Sequence, residues 1–114
     1  MMSPLTEQAF FVLAALVDVP RHGYGIVGED HQLSRGRVEL KVGTLYGVLD
    51  RLVEQGLVEP DREEVHSGRL RRYYRLTEPG RGALAEEVER QAANARVGRQ
   101  RLRSWVPLTE SGTP

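Results

Sequence analysis

The chain has 114 residues, of which 39% are hydrophobic and 28% charged, and its 16 basic side chains are balanced by 16 acidic ones. This length accommodates one compact domain, or a small domain with an appended element, and the composition is typical of a soluble globular protein. The balanced charge excludes a polycation that coats nucleic acid, although it says nothing about local patches. The absence of cysteine excludes disulfide scaffolds, thiol catalysis and thiolate metal sites.

Residues 5–17 are predicted to form the first helix, with Ser3 as its N-cap and Pro4 at the first helical position. Residues 9–17 are apolar on every face, whereas a helix lying on one small core shows a single apolar stripe. One side should therefore face this chain's core and the other a second chain. The run is much shorter than the roughly 20 residues of a membrane-spanning helix. It also lacks a signal peptide's basic leader and cleavage site, so we expect a cytoplasmic protein with no membrane partner.

The middle of the chain is predicted to contain two further helices and a short strand. The pattern predicts a turn over residues 19–23, a weak glycine-diluted helix over 24–33, an extended stretch over 37–40 and a strong helix over 42–55. In the strong helix Thr44, Gly47 and Arg51 share a face that is distinct from the apolar one. Gly56 follows in the position expected just past a helix C-terminus.

A hairpin and a final helix are predicted next. One strand begins at residue 57, with Pro60 arguing against a central position in a sheet, and the return strand covers residues 69–76 after a tip at 66–68. Period two places Leu70, Tyr74 and Leu76 on the inner face of the return strand. Thr77 is predicted to cap a last helix that runs to residue 106.

This order of elements predicts a mainly α (α+β) fold, a winged helix-turn-helix with a long C-terminal dimerisation helix. The DNA-binding domain would cover residues 1–76, the dimerisation helix residues 77–106, and a flexible tail residues 107–114. Proteins of this architecture place the third helix in the DNA major groove and the hairpin, or wing, along the backbone.

The predicted wing has four arginines and two tyrosines in residues 69–75. These arginines can contact phosphates through their bidentate guanidinium groups, or they can be a solvated strand edge that guards against aggregation. The acidic opposing strand would neutralise part of the patch through cross-strand pairs. We expect phosphate contacts from the tip, Ser67, Gly68 and Arg69, and from Arg71, whereas Arg72 should pair with a carboxylate.

The third helix begins after Lys41, the only lysine of the chain, and a helix N-terminus favours an anion. Gly43 and Gly47 would leave its exposed face bare for close approach to DNA, although glycines can also ease helix–helix packing. Tyr46 can belong to the core or send its hydroxyl group to a phosphate. With Thr44 and Arg51, these residues make up the predicted reading face.

The last helix would be about 45 Å long at 1.5 Å per residue, longer than a domain of this size is wide. Its apolar positions approximate a coiled-coil seam, so we expect it to pair with a second copy, together with the first helix. A solvated tail helix is the alternative. The predicted dimer interface consists of Phe10, Phe11, Leu13, Leu84, Val88, Ala92, Ala95, Leu102 and Val106.

Four segments resemble the PadR family of bacterial transcriptional regulators: PRHGYGI (20–26), GTLYGVLDRL (43–52), EQGLV (54–58) and GRLRRYYRLTEPGR (68–81). The likeness covers residues 5–84 with the blocks in the family's order. It implies a homodimeric winged-helix repressor that binds a palindromic operator and is often released by a small aromatic effector. By analogy, the helix from Val42 is the recognition helix and Tyr24 lies where the second helix meets the DNA backbone.

Two departures from the family limit the analogy. Lys41-Val42 stands where a small polar residue and a proline are common, so groove contacts can differ. The middle of the last helix holds Gln91-Ala92-Ala93-Asn94 rather than the aromatic residue that stacks planar drugs in some small members, and Trp105 lies near the helix end. An effector would instead bind between Phe10 or Phe11 and the last helix.

Catalysis finds little support in the sequence. No phosphate-binding loop is present, and a solvated His31 is a better interpretation than a metal ligand, so we expect neither enzyme activity nor a metal or cofactor. The leading function is sequence-specific DNA binding as a dimeric repressor. A winged-helix protein-interaction module that does not bind DNA is the alternative, which the zero net charge keeps open.

Overall fold

The computed structural model describes residues 4–108, and it confirms the winged helix-turn-helix fold. The elements are α1 (Glu7–Ala15), β1 (Arg21–His22), α2 (Gly23–Leu33), α3 (Val42–Glu54), β2 (Val58–His66), β3 (Arg69–Leu76) and α4 (Glu78–Arg103). Ser3 and residues 109–114 of the predicted tail lie outside the described residues. No helix within residues 4–108 is both long enough and apolar enough to cross a membrane.

The first helix is shorter than predicted at both ends. Thr6 is its N-cap: the backbone is extended there, and the hydroxyl oxygen accepts a hydrogen bond from the N–H of Ala9 at 3.0 Å. Pro4 therefore precedes the helix instead of beginning it. The ends of α3 and α4 also lie one and three residues before the predicted ends, at Glu54 and Arg103.

The sheet has three strands, and β1 is the one that the sequence did not predict. The prediction of a short strand over residues 37–40 was wrong. β1 pairs antiparallel with β3, in the sheet order β1-β3-β2, so the segment predicted as a turn supplies a strand. The 37–40 segment packs into the core through Val38 and Leu40. Its Val38 N–H donates to the Ser34 hydroxyl oxygen at 2.9 Å, where a strand would use a neighbouring backbone.

The hairpin turns at the predicted tip, between β2 and β3. Ser67 and Gly68 both have positive φ, 51° and 76°, which is the conformation of the tight turns that match strand twist. β2 lies at the sheet edge, as Pro60 suggested, and its register shifts between Pro60 and Glu63. Leu70 departs from the predicted inner face because the wing extends past the core: its exposed fraction is 62%, whereas Tyr74 is buried.

The core brings together the inner faces of the first three helices and the base of the sheet. Its fully buried side chains include Leu13, Ile26, Leu45 and Leu49. Leu13 was predicted to lie in a dimer interface, but it is 0% exposed in the core of its own chain. Residues 9–15 of α1 contain no polar residue that would distinguish the inner face of the helix from its outer face. We therefore withdraw Leu13 from the interface.

α4 starts tightly against the domain and then leaves it. Thr77 caps the helix by accepting from the N–H of Gly80 at 3.0 Å, as predicted. A Cβ at Gly80 would lie 2.0 Å from the Leu57 carbonyl oxygen, so only glycine allows this approach. The helix has 26 residues, about 39 Å at 1.5 Å per residue, and its last turns project away, giving principal extents of 71 × 30 × 21 Å.

Glu87 fixes α4 to the start of α1. Its side chain is 3% exposed, and Oε1 accepts from the backbone N–H of Leu5 at 3.2 Å. Arg90 donates to both carboxylate oxygens, and Gln91 donates to Oε2 at 3.0 Å. These hydrogen bonds hold the pKa of Glu87 down at about 2. From residue 88 onward, every described side chain of α4 is exposed in the single chain.

Candidate nucleic-acid interface

The outer face of α3 is exposed and carries small side chains. Leu45, Val48, Leu49 and Leu52 point into the core, which leaves Gly43, Thr44 and Gly47 on the outer side. A Cβ added at Gly43 or Gly47 would meet nothing within 4 Å among the described residues. Packing within this chain therefore does not require these glycines, and the face is open to another molecule.

The start of α3 has free backbone donors. Lys41 occupies the N-cap position with an extended backbone and makes no side-chain capping hydrogen bond. The first N–H groups of a helix lack partners inside it and attract an acceptor. Arg51, near the opposite end of α3, borders a cavity of about 400 Å³ that it shares with Leu5 and Ala9 of the α1 region. The structure therefore separates Arg51 from the predicted anion-binding end.

Tyr46 connects α3 with the start of α2. A Cβ at Gly23 would lie 2.8 Å from the Tyr46 hydroxyl oxygen, so the phenol ring rests on the bare glycine. Tyr46 is 39% exposed, which makes it a boundary residue rather than a core residue. The adjacent Tyr24 is 64% exposed on the same turn of α2. The absence of a side chain at Gly23 thus lets Tyr46 of α3 pack against the start of α2.

The wing contains both paired and unpaired arginines. Arg75 donates to Glu59 at 2.7 Å and to Asp61 at 3.1 Å, and Arg62 pairs with Asp61 and Glu64. The acidic strand thus neutralises part of the patch, as expected. The prediction that Arg72 pairs with a carboxylate was wrong: the register places Glu63 opposite Arg72, but no salt bridge joins them, whereas Arg75 pairs with Glu59 across the hairpin. No carboxylate within residues 4–108 lies within 4.0 Å of Arg69, Arg71 or Arg72.

His22 belongs to this surface, although its sequence context gave no role for it. It is half-buried in β1 opposite Tyr73, and the two rings meet edge to face with centroids 5.2 Å apart. Its Nε2 atom lies 3.4 Å from Nη1 of Arg71. Burial, and secondarily the positive charge of Arg71, lower the pKa of His22 and favour the neutral ring. Only the pairing of β1 with β3 brings these residues together.

The predicted dimer residues lie on two surfaces. Phe10 and Phe11 are half-buried on α1, Phe11 partly against the core, and their rings are 5.1 Å apart in an edge-to-face contact. Leu84 is half-buried against the core, whereas Val88, Ala92, Ala95 and Leu102 are exposed on α4. Val106 is also exposed, three residues beyond the helix end. Val97 is a further exposed apolar residue on α4 that the predicted seam omitted.

Within the described part of the chain, no group of three or more histidine, aspartate or glutamate side chains could hold a metal ion. His31 lies 3.5 Å from Glu39 on an exposed surface. The start of α3 and the tip of the wing carry Lys41, Arg69 and Arg71, which suit an anionic partner, whereas the edge strand of the wing is acidic.

Comparisons with known proteins identify the family. A sequence model described as "Transcriptional regulator PadR-like family" matches residues 12–86. A transcriptional regulator from Mycobacterium tuberculosis is 40% identical over 76 residues, covering 67% of each chain. An uncharacterised protein encoded in a Streptomyces fradiae transposon is 42% identical over 101 residues; the match covers 89% of this chain but 27% of that protein.

Solved structures share the fold. A PadR family transcription regulator from Clostridium difficile superposes with a TM-score of 0.72 and 25% identity, covering 85% of this chain and 99% of that one. Bacillus subtilis PadR in complex with operator DNA gives a TM-score of 0.62 at 20% identity, with coverage of 70% and 46%, which is a likeness of fold. The chain therefore belongs to the PadR-like family of transcriptional regulators, a family of regulators and not of enzymes.

Proposed function

We propose that this regulator is a homodimer that binds a palindromic DNA operator and acts as a repressor. The observation that carries the proposal is the open outer face of α3, where an added Cβ at Gly43 or Gly47 would meet no atom of residues 4–108 within 4 Å. That face lies beside a wing whose Arg69 and Arg71 have no carboxylate partner within residues 4–108. The relative solved with operator DNA shares this fold.

In this proposal the residues divide into base reading and backbone contact. α3 enters the major groove, where Thr44 can reach a base edge and Arg51 can reach either a base or the flanking backbone. Lys41 and the free N–H groups at the start of α3 bind one phosphate. Tyr24 contacts the backbone from α2. Ser67, Gly68, Arg69 and Arg71 contact it from the wing.

The dimer would bury the outer face of α1 and the distal half of α4. Phe10 and Phe11 supply aromatic anchors, and the described side chains of α4 from Val88 onward are exposed in the single chain. An obligate interface of this kind buries about 2,000 Å² or more. Two-fold symmetry then places the two α3 helices about 34 Å apart, one turn of DNA.

We further propose that a small-molecule effector, aromatic in character, releases the repressor. The half-buried pair Phe10 and Phe11 offers ring edges and faces for such a ligand where α1 would meet the α4 of the partner. Binding there would change the separation of the two α3 helices. Fluorescence anisotropy of bound operator, with aromatic acids and phenols added in turn, measures whether any of them releases the protein.

A protein-interaction module is the second candidate, and the acidic strand of the wing favours it. Glu59, Asp61 and Glu64 neutralise two arginines, and the formal net charge of the chain is zero. A surface of balanced charge suits a protein partner better than a phosphate backbone. This reading predicts a weak and salt-insensitive interaction with every DNA sequence.

Selection of bound fragments from a random DNA pool, followed by a salt titration, tests both candidates. A dimeric regulator should enrich an inverted repeat. With about 6 to 10 phosphate contacts its affinity should fall by roughly 10³- to 10⁵-fold between 50 and 200 mM salt. Failure to enrich any sequence, with salt-independent binding, supports the interaction module. Sedimentation equilibrium measures the dimer, and a stable monomer in dilute solution overturns it.

A further inference from the structure

His22 lies between the two elements to which the proposed function assigns DNA contacts. As the second residue of β1 it pairs with Tyr73 of the wing, and the next residue, Gly23, lies under the Tyr46 hydroxyl of α3. The His22 ring is half-buried, so part of it is accessible at the surface. In the proposed function, a DNA backbone that contacts both α3 and the wing would pass over His22.

Both ring nitrogens of His22 face hydrogen-bond donors. Nδ1 accepts from the backbone N–H of Gly25 at 3.4 Å, which caps α2, and Nε2 lies 3.4 Å from Nη1 of Arg71. A guanidinium group has only donors, and a neutral imidazole has only one nitrogen that can accept. In either tautomer, therefore, one of the two neighbours is opposed by another N–H. With Nδ1 used for the cap, the protonated Nε2 and Nη1 of Arg71 are two donors 3.4 Å apart, and one oxygen beside them would accept from both.

The local charges select an anionic acceptor. Arg71 is half-buried and has no carboxylate within 4.0 Å among residues 4–108, since the neighbouring Glu64 is paired with Arg62. Burial and the charge of Arg71 lower the pKa of His22, while Glu64 has a smaller opposing effect, so the ring is a neutral donor at neutral pH. An oxygen that accepts from a neutral N–H and from a guanidinium group is typical of a phosphate.

We propose that His22 and Arg71 together hold one phosphate of the DNA backbone in each protomer. His22 donates from Nε2 while Nδ1 continues to cap α2, and Arg71 supplies the positive charge. The contact rests on the proposed DNA-binding function and adds to it a residue that joins α2, α3 and the wing at one phosphate. His22 is then a binding residue in its own right and not only a helix cap.

Two substitutions separate the two nitrogens of the ring. His22→Asn keeps an acceptor near the Nδ1 position, and asparagine is a good N-cap, but it removes the Nε2 donor. His22→Gln places an amide N–H near the Nε2 position and abandons the cap. We expect His22→Asn to melt close to the wild type and to bind selected DNA roughly tenfold to a hundredfold more weakly for each engaged protomer. His22→Gln should melt lower but keep an affinity within a few-fold of the wild type.

Salt dependence distinguishes the neutral donor from the cation. His22→Asn removes no charge, so log K against log [salt] should shift downward with an unchanged slope. Arg71→Ala should reduce the slope by about 0.9 for each protomer that engages a phosphate. Combining the two substitutions should cost less than the sum of the single effects, because both act on one phosphate.

The outcomes are distinguishable. If the wild type binds selected DNA and His22→Asn binds equally well, the contact is overturned while the proposed function stands. Equal losses in His22→Asn and His22→Gln also overturn it, since the donor position is then irrelevant. A wild type that binds no DNA overturns the function and the contact together. Should His22→Asn fold poorly, nitrogen NMR of the wild-type complex decides: a proton on Nε2 supports the contact, and the Nδ1–H tautomer overturns it.

Discussion

Asp30 is a buried acid without a partner, and its replacement by asparagine should stabilise the protein at alkaline pH. It follows Ile26 by one turn on the core face of α2 and is 0% exposed. Neither carboxylate oxygen has a hydrogen-bond partner among the described residues. Burial, with a smaller contribution from the negative charge of Glu29, raises the pKa of Asp30 from 3.8 to about 7.

The raised pKa of Asp30 sets both the sign and the size of the effect. An acid with a raised pKa in the folded state binds more protons when folded, so the free energy of unfolding falls as pH rises above the unfolded pKa. The loss levels off above the folded value of about 7. Relative to low pH, where Asp30 is protonated in both states, the difference between the two pKa values lowers the free energy of unfolding by about 4 kcal/mol at pH 8. At pH 5, where the folded side chain is still protonated, the loss is about 2 kcal/mol.

Urea denaturation followed by circular dichroism at pH 5 and pH 8, at one protomer concentration, measures the effect of Asp30→Asn. The buried amide introduces a cost of its own, but that cost does not vary with pH. The free energy of unfolding of the variant, relative to that of the wild type, should therefore increase by roughly 2–3 kcal/mol from pH 5 to pH 8. Asp50→Asn, at an exposed position of α3, is the control for loss of a carboxylate. A difference for Asp30→Asn that is the same at both pH values refutes the reasoning.

Three further predictions concern α4 and the reading face. Gly80→Ala should destabilise the fold by about 1–3 kcal/mol in thermal denaturation, because the new Cβ meets the Leu57 carbonyl oxygen. The control is Gly82→Ala, whose Cβ would meet no described atom within 4 Å and which should be neutral or stabilising. Glu87→Gln should lower the melting temperature at pH 7. The difference in melting temperature between wild type and variant should shrink as pH falls from 4.5 towards about 2, because wild-type Glu87 itself becomes protonated there. A difference that stays constant over this pH range contradicts the prediction. Thr44→Ala should change base preference at one operator position by ~1–3 kcal/mol in a library of operators, and a uniform loss across the library would remove Thr44 from base reading.

The sequence predicts α3 and the wing well because their signals are local. Apolar residues at helical spacing define the inner face of α3, and Gly56, with φ of 75°, ends it in the left-handed conformation that glycine favours. The tip of the wing is defined by Ser67 and Gly68 in the same way. Thr77 is likewise recognisable as a cap from its position before Glu78 and Pro79.

Features that depend on a distant partner could not be predicted. β1 has only two residues and exists because the free edge of β3 accepts it. Arg75 forms salt bridges with carboxylates and Arg72 does not, although the register places a glutamate opposite each of them, so cross-strand position alone does not decide the pairing. The burial of Asp30 contradicts the expectation for a charged residue, since α2 turns that position into the core. His22 acquires its role from Arg71, which is 49 positions away in the chain.

The family likeness and the specificity of this regulator have different physical origins. Gly23 and Gly80 lie in the segments that resemble the family, and at each of them an added Cβ would meet a neighbouring atom at less than 3.0 Å. Gly23 allows α2 to pack closely against Tyr46 of α3, and Gly80 allows α4 to pack closely against Leu57, just after α3. Together they determine the position of the reading face in the fold. Lys41 and Thr44 are exposed and are not constrained by such packing. If α3 reads DNA as proposed, a change at Lys41 or Thr44 alters the operator without altering the fold, whereas a side chain at Gly23 or Gly80 disturbs the placement of every proposed DNA contact at once.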